Sequence, residues 1–237
     1  MCTLEQRGSI FILTLTGADQ HRFNPTLIAS FLSALQQAKS QATPGSVLIT
    51  TSQGNCFSSG IDLAWARGEG KRPTPERLLH LLRLLKPVAA ELISLPMPTI
   101  AAVQGHSIGA GMLVALSHDY VLVMSDSGVM YMSELDLGFP MPEYFSVLFR
   151  AKLGSVAARR EMLLRGTKLK GEEAVRMGIV DSAHGSEGEL REAAMRLGEE
   201  LAKRKWEGEA YREIRKSLYP ELCEELGLDL VKVVPKL

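Results

Sequence analysis

The sequence predicts an α/β fold, and three observations carry that prediction. Apolar, β-branched runs at 9–16, 46–51 and Thr99–Val103 read as buried strands. The second and third of these feed glycine-bearing loops, 57–63 and 104–111, each followed by a stretch of helical character. Beyond Glu143 nearly every segment reads as helix, with Gly154, Gly166 and Gly185 as breaks. Strands alternating with helices favour a largely parallel sheet or a stacked spiral. The chain divides into an α/β core over 1–185 and a helical region over 186–237.

Taken in order, 9–16 sets Ile10, Ile12, Thr14 and Thr16 on one face and Phe11, Leu13 and Leu15 on the other, the pattern of a strand covered on both sides. Asn24-Pro25 reads as a helix N-cap followed by proline at the first position, and Leu27, Phe31, Leu32 and Leu35 supply that helix's apolar stripe. It stops before Pro44-Gly45. The polar stretch 68–75, rich in Gly and Pro, is linker-like. From 76 to 95, Leu78, Leu81, Leu82, Leu85, Ala89 and Leu92 recur at helical spacing until Pro96 and Pro98 intervene. A short helix is expected over 112–117, and strands at Tyr120–Met124 and 129–132.

Composition narrows the function classes. The 237 residues carry 27 basic and 27 acidic side chains, which gives no electrostatic case for nucleic acid or an anionic membrane. No apolar stretch is long enough to span a bilayer. Cys2, Cys56 and Cys223 are odd in number and lack metal-ligand spacing, which favours reduced thiols and no metal site. The N-terminal residues lack the pattern of a secretory leader. Pro235-Lys236-Leu237 differs from the peroxisomal Ser-Lys-Leu address at one position, so a peroxisomal import receptor is the expected reader.

Gly105-His106-Ser107-Ile108-Gly109 matches the nucleophile elbow of α/β-hydrolases, with Asp136 or Asp181 and then His184 following in triad order. A serine hydrolase using Ser107 is therefore one reading. The pattern is short, no upstream glycine-rich oxyanion segment accompanies it, and nothing brings His184 to Ser107.

Taken together, the two glycine segments are more specific. Phe-Ser-Ser-Gly-x-Asp-Leu stands about forty residues before Ala-Ala-Val-Gln-Gly-x-Ser-Ile-Gly-Ala-Gly, and Gly171-Glu172-Glu173-Ala174 precedes Gly178-Ile179-Val180-Asp181. Over roughly 9–181 the chain resembles the crotonase (enoyl-CoA hydratase/isomerase) superfamily, and in its short length it is similar to plant peroxisomal members. The resemblance implies a spiral of ββα-like turns with a C-terminal helical region that mediates trimer formation, hence a homotrimer or hexamer. It implies an acyl-CoA substrate with no separate cofactor. It also implies that the backbone N–H groups of Ile61 and Ala110 hold an enolate oxygen. Ser58, Ser59, Gly60, Asp62, Leu63 and Gly109 shape these turns around the substrate, and Arg22 approaches a CoA phosphate.

Family hydratases carry two glutamates. At the first position this chain has Leu113, and at the second it keeps Glu134. Adding water is best served by two acid/base groups, whereas one carboxylate can move a proton from C2 to C4 of a 3-enoyl thioester. The departure points to a double-bond isomerase acting in the breakdown of unsaturated fatty acids. Glu143, just beyond the Leu137-Gly138 turn, is the rival base. An acyl-CoA-binding protein without catalysis remains an alternative. His106 and His118 read as structural, and Phe139, Met141 and Tyr144 line an acyl tunnel or belong to the core.

Overall fold

The computed structural model describes residues 1–17, 20–70 and 73–230. The elements run β1 (Cys2–Arg7), β2 (Ile10–Leu15), α1 (Pro25–Ser40), β3 (Val47–Ser52), β4 (Cys56–Ser58), α2 (Leu63–Arg67), α3 (Pro75–Ser94), β5 (Thr99–Val103), β6 (His106–Ile108), α4 (Ala110–Leu116), β7 (Tyr120–Met124), β8 (Met130–Tyr131), α5 (Glu134–Leu137), α6 (Glu143–Lys152) and α7 (Val156–Arg159). A π turn (Arg160–Leu164) leads to α8 (Gly171–Arg176), β9 (Ser182–His184), α9 (Glu187–Lys203), α10 (Gly208–Leu218) and α11 (Pro220–Leu226). No described helix is long and apolar enough to cross a membrane.

Two sheets organise the chain. The larger has strand order β1-β2-β3-β5-β7-β9, antiparallel only between β1 and β2. The smaller has order β4-β6-β8 and is parallel throughout. Successive turns of the chain give one strand to the large sheet and the next to the small one, then a helix. This is the spiral of ββα-like turns that the family resemblance implies.

The strands of the large sheet are apolar on both faces because both faces are covered. Phe11, Leu13, Leu15, Leu48, Ala101, Val103, Val121 and Val123 face the main core, which includes α1, α3 and α4. Ile10, Val47, Ile49, Ile100, Ala102 and Leu122 face α9, which answers with Leu190, Ala193, Ala194 and Leu201. Thus α9 is the second cover of the sheet, and β9 extends the sheet from the far end of the chain. The last two helices also return to the core, α10 against α3 and α11 against α3 and α6.

Local chemistry explains the helix starts. Asn24 Oδ1 accepts from Leu27 N at 3.0 Å with Pro25 at the first position, as the sequence predicts. Thr74 caps α3 in the same way, with Oγ1 accepting from Arg77 N and Pro75 following, so the end of the linker-like stretch is a helix start. Residues 235–237, which carry the peroxisomal-type tripeptide, lie outside the described residues.

Candidate active site

The three parallel strands of the small sheet deliver three loops to one place. After β4 come Ser59, Gly60 and Ile61; after β6 come Gly109 and Ala110; after β8 come Ser133 and Glu134. Parallel strands side by side open their C-terminal ends on the same edge, which is where α/β sheets place ligands. All seven residues line one cavity of about 340 Å³, walled by Leu63, Leu78, Leu82, Leu137 and Phe139.

The first two loops meet at Gly60. A side-chain carbon at Gly60 would sit 2.8 Å from the Ile108 carbonyl oxygen and 3.3 Å from the Ala110 nitrogen, and φ there is +84°. Only glycine fits that approach and that dihedral. Around it the hydrogen bonds are spoken for: Phe23 N donates to Gly60 O, Asp62 N donates to Phe23 O, and Gly60 N donates to Ser58 Oγ. The Ile61 N–H has no acceptor among the described residues. The Ala110 N–H is also free, because it opens α4, where the first amides have no intrahelical partner. Two unpaired donors therefore border one cavity, one of them at the positive end of a helix dipole.

Glu134 lies against the second loop. At Gly109, φ +52°, a side-chain carbon would stand 3.2 Å from Glu134 Oε1 and 3.3 Å from Ser133 Oγ. Glu134 Oε2 is buried without a hydrogen-bond partner. Burial pushes its carboxyl above the usual carboxylate range, against the weaker opposing effect of local backbone hydrogen bonds. Glu134 is the one ionisable side chain lining the cavity among the described residues. It opens α5 rather than closing β8, so it hangs from a short helix at the strand's exit.

The other singled-out residues fall elsewhere. Ser58 is fully buried, its Oγ donating to His21 O at 2.8 Å, and it braces the turn from behind. Asp62 caps α2 through Trp65 N and accepts from Asn24 Nδ2. Arg22 is exposed and does not border the cavity. Glu143 opens α6, is exposed, and borders a neighbouring cavity instead. Met141 and Tyr144 border that second cavity, and Phe139 borders both. Leu113 is wholly buried in α4 and brings no polar group to the cavity.

The hydrolase reading fails on geometry. Ser107 is fully buried in β6 and its Oγ makes no hydrogen bond. His184 Nε2 pairs with Ser182, Asp181 accepts from Val121 N, and Asp136 is exposed. No base is bonded to Ser107, so there is no triad. His118 is structural, held by Val114 O and Thr50 Oγ1, and His106 accepts from Val129 N. Among the described residues no three His, Cys, Asp or Glu side chains are grouped to hold a metal.

Pro73, Ser133, Leu137 and Pro142 also line the cavity and stand in no motif. Leu137 could have been found as a large apolar residue beside a turn; it is 54% exposed.

The enoyl-CoA hydratase/isomerase family model matches residues 5–225. The chain belongs to that family. It is 58% identical over 240 residues to enoyl-CoA delta isomerase 2, peroxisomal, of Arabidopsis thaliana, covering all of both chains. It is 59% identical over 229 residues to enoyl-CoA delta isomerase 3 of the same plant, covering 96% of each. Among solved structures, an enoyl-CoA hydratase/isomerase family protein from Pseudomonas syringae superimposes with a TM-score of 0.84 at 23% identity, over 95% of this chain and 93% of that one. That likeness bears on the fold, and the fold is the crotonase-type spiral.

Proposed function

We propose that the protein is an enoyl-CoA delta isomerase, converting 3-enoyl-CoA to trans-2-enoyl-CoA in the oxidation of unsaturated fatty acids. The two Arabidopsis delta isomerases at 58% and 59% identity support the reaction. The observation that carries the mechanism is the pairing of two unused N–H donors with a single, unpartnered, buried carboxylate in one cavity.

The thioester carbonyl oxygen accepts from Ile61 N and Ala110 N. Glu134, as carboxylate, takes a proton from C2; the C2–H electrons move into the C1–C2 bond and the negative charge settles on the oxygen. The dienolate then collapses, C4 takes the proton back from Glu134, and the double bond lies between C2 and C3. No atom is gained or lost, and water need not enter. Each oxyanion donor is worth about 2.7–4 kcal/mol of barrier in comparable sites. The apolar wall keeps the developing charge away from solvent, and the raised Glu134 carboxyl is a stronger base than an exposed one. A hydratase would need a second acid/base group here, and the cavity has none among its described residues.

CoA enters as part of the substrate. A peroxisomal location is proposed from the relative named peroxisomal. A homotrimer or hexamer is proposed from the family.

The test follows 2-enoyl-CoA formation from 3-hexenoyl-CoA. Glu134→Gln is expected to lose about 10²–10⁴-fold in kcat, the usual contribution of a positioned base. Glu143→Gln is expected to stay near wild type. Loss confined to Glu143→Gln would transfer the base. In wild type, kcat/KM is expected to fall as pH drops through the Glu134 pKa, with the acid limb above the ordinary glutamate value of about 4.3.

A further inference from the structure

The turn that presents the Ile61 N–H is laced onto the segment 20–24, which joins β2 to α1. Ser59 N donates to Gln20 O at 2.9 Å, Phe23 N donates to Gly60 O at 2.8 Å, and Asp62 N donates to Phe23 O at 3.0 Å. Among the described residues other than glycine, only His21 and Lys205 have positive φ. Lys205 is exposed, whereas His21, at φ +39°, is buried. Such a backbone is uncommon outside glycine; it persists where the surroundings fix it, and it clusters at functional sites. The surroundings that fix it here belong to β4. His21 Nδ1 lies 2.8 Å from Cys56 O, at the first residue of that strand, and a carbonyl oxygen only accepts, so Nδ1–H is the donor. At the last residue of the strand, Ser58 Oγ donates to His21 O at 2.8 Å. His21 Nε2 is buried with no partner among the described residues, so the bond to Cys56 is the one that orients the ring.

We propose that His21 is a positioning residue of the oxyanion hole: by gripping both ends of β4 it fixes the direction of the Ile61 N–H, and so acts on turnover rather than on substrate affinity. The proposal rests on the isomerase reading, in which that N–H binds the thioester oxygen. His21 does not border the cavity, so its effect passes through the turn. The relay is short. The His21 carbonyl takes the Ser58 hydroxyl hydrogen, which leaves the Ser58 Oγ lone pairs to accept from Gly60 N at 3.1 Å. With the Gly60 N–H tied down, the next amide in the chain, Ile61 N–H, is the one left for the cavity. The bond from Nδ1 to Cys56 holds His21 in the left-handed backbone from which its carbonyl reaches Ser58. An oxyanion donor works when it stands about 2.7–3.1 Å from the developing charge. A misplacement on the order of 1 Å can cost about 100-fold in rate. The walls at Leu82 and Phe139 take no part in this relay, so substrate binding persists when it is cut.

The experiment compares wild type, His21→Gly and His21→Asn. It measures kcat and KM for 3-hexenoyl-CoA, the urea unfolding midpoint, and the infrared stretch of the bound thioester in carbonyl-labelled hexanoyl-CoA. Glycine keeps the positive φ and removes the donor. Asparagine tolerates that φ and sets its Nδ2 donor at the same number of bonds from the backbone as Nδ1. His21→Gly is expected to lose about tenfold or more in kcat with KM within about threefold of wild type. Its bound carbonyl band is expected to move back toward the free value, because the misplaced Ile61 N–H polarises the oxygen less. His21→Asn is expected to recover the wild-type band and kcat to within about threefold. A folded His21→Gly with wild-type kcat and band would overturn the proposal and leave the isomerase standing, as would a folded His21→Asn as slow as His21→Gly. Should His21→Gly not fold, His21→Asn decides: wild-type kcat and band support the Nδ1 donor, and a folded protein about tenfold slower or worse overturns it. Failure of wild type to turn over 3-hexenoyl-CoA would remove the isomerase reading and the proposal with it.

Discussion

Two polar clusters in this molecule are built on opposite terms. At the head of the small sheet, Glu134 Oε2 and the Ile61 and Ala110 amides have no partners among the described residues. At the C-terminal end of α3, Arg215 of α10 is almost wholly buried and every direction of its guanidinium is used. Nε and Nη2 donate to the two Asp119 oxygens at 2.6 Å, Nη1 donates to Leu95 O at 2.6 Å and Ile93 O at 3.3 Å, and Nη2 also reaches Met97 O. Asp119 accepts further from Thr99 N and the Tyr211 hydroxyl. Burial alone would raise its carboxyl, and the adjacent Arg215 outweighs that and holds it below the usual range. Native interiors rarely leave polar groups unpaired. The saturated cluster therefore reads as structure, and the unsaturated one as capacity held for a ligand.

The strongest way to break that contrast is to cut the saturated cluster. Arg215→Met leaves Asp119 buried without its guanidinium, and removing one partner of such a pair costs about 3–5 kcal/mol. The check is the urea unfolding midpoint. The double variant Arg215→Met, Asp119→Leu is expected to recover part of the loss, because the carboxylate is then no longer stranded, while the nearby buried Lys152 loses an attractive charge. A cost below about 1 kcal/mol for the single variant would mean that the cluster is decoration.

The two clusters were not equally legible in sequence. The oxyanion loops declare themselves because glycine is demanded where backbones touch, and Gly60 and Gly109 sit inside short motifs beside the residues they serve. Glu134 was found through resemblance, and only the structure shows its carboxylate beside Gly109. Arg215 and Asp119 stand 96 residues apart and carry no local pattern, so nothing along the chain announces their meeting. Of the small sheet only β8 was legible, inside the strand expected over 129–132. β4 and β6 have three residues each, too short to show a period, and β6 lies within what reads as a glycine loop. β1 escaped because its mostly exposed residues lack an apolar alternation. The second cavity sets Leu79, Leu82, Arg83 and Lys86, at helical spacing on α3, against the aperiodic run from Phe139 to Pro142, and no local pattern announces that the two meet.

His118 offers a smaller effect that sharpens the comparison. Both ring nitrogens are engaged, with Val114 O and Thr50 Oγ1, and burial pushes the ring down to about 4. The unfolded chain takes up this proton near pH 6.5, while the folded ring resists until about 4. Stability is therefore expected to decline as pH falls between those values, by on the order of 3 kcal/mol from this residue. His118→Gln is expected to show a flatter dependence of unfolding free energy on pH across that window. An unchanged slope would mean that the folded ring is protonated near its ordinary pKa and that its satisfied bonds do not hold it neutral.

The smallest effect has the most diagnostic sign. Glu134 has its carboxyl raised by burial, so its ionised form weighs against the folded state. That penalty is present above the folded pKa and disappears once pH drops below the unfolded value. Glu134→Gln is thus expected to keep the fold and to gain about 0.5–1 kcal/mol at neutral pH, the low end of what a single stabilising substitution contributes. The gain should vanish in acid, where the wild-type carboxyl is already neutral. Thermal unfolding at neutral and acid pH reads both halves of this expectation. A variant that instead loses stability at neutral pH would place Glu134 in the same class as Arg215, a group kept for the fold, and the unpaired carboxylate would no longer mark the site of proton transfer.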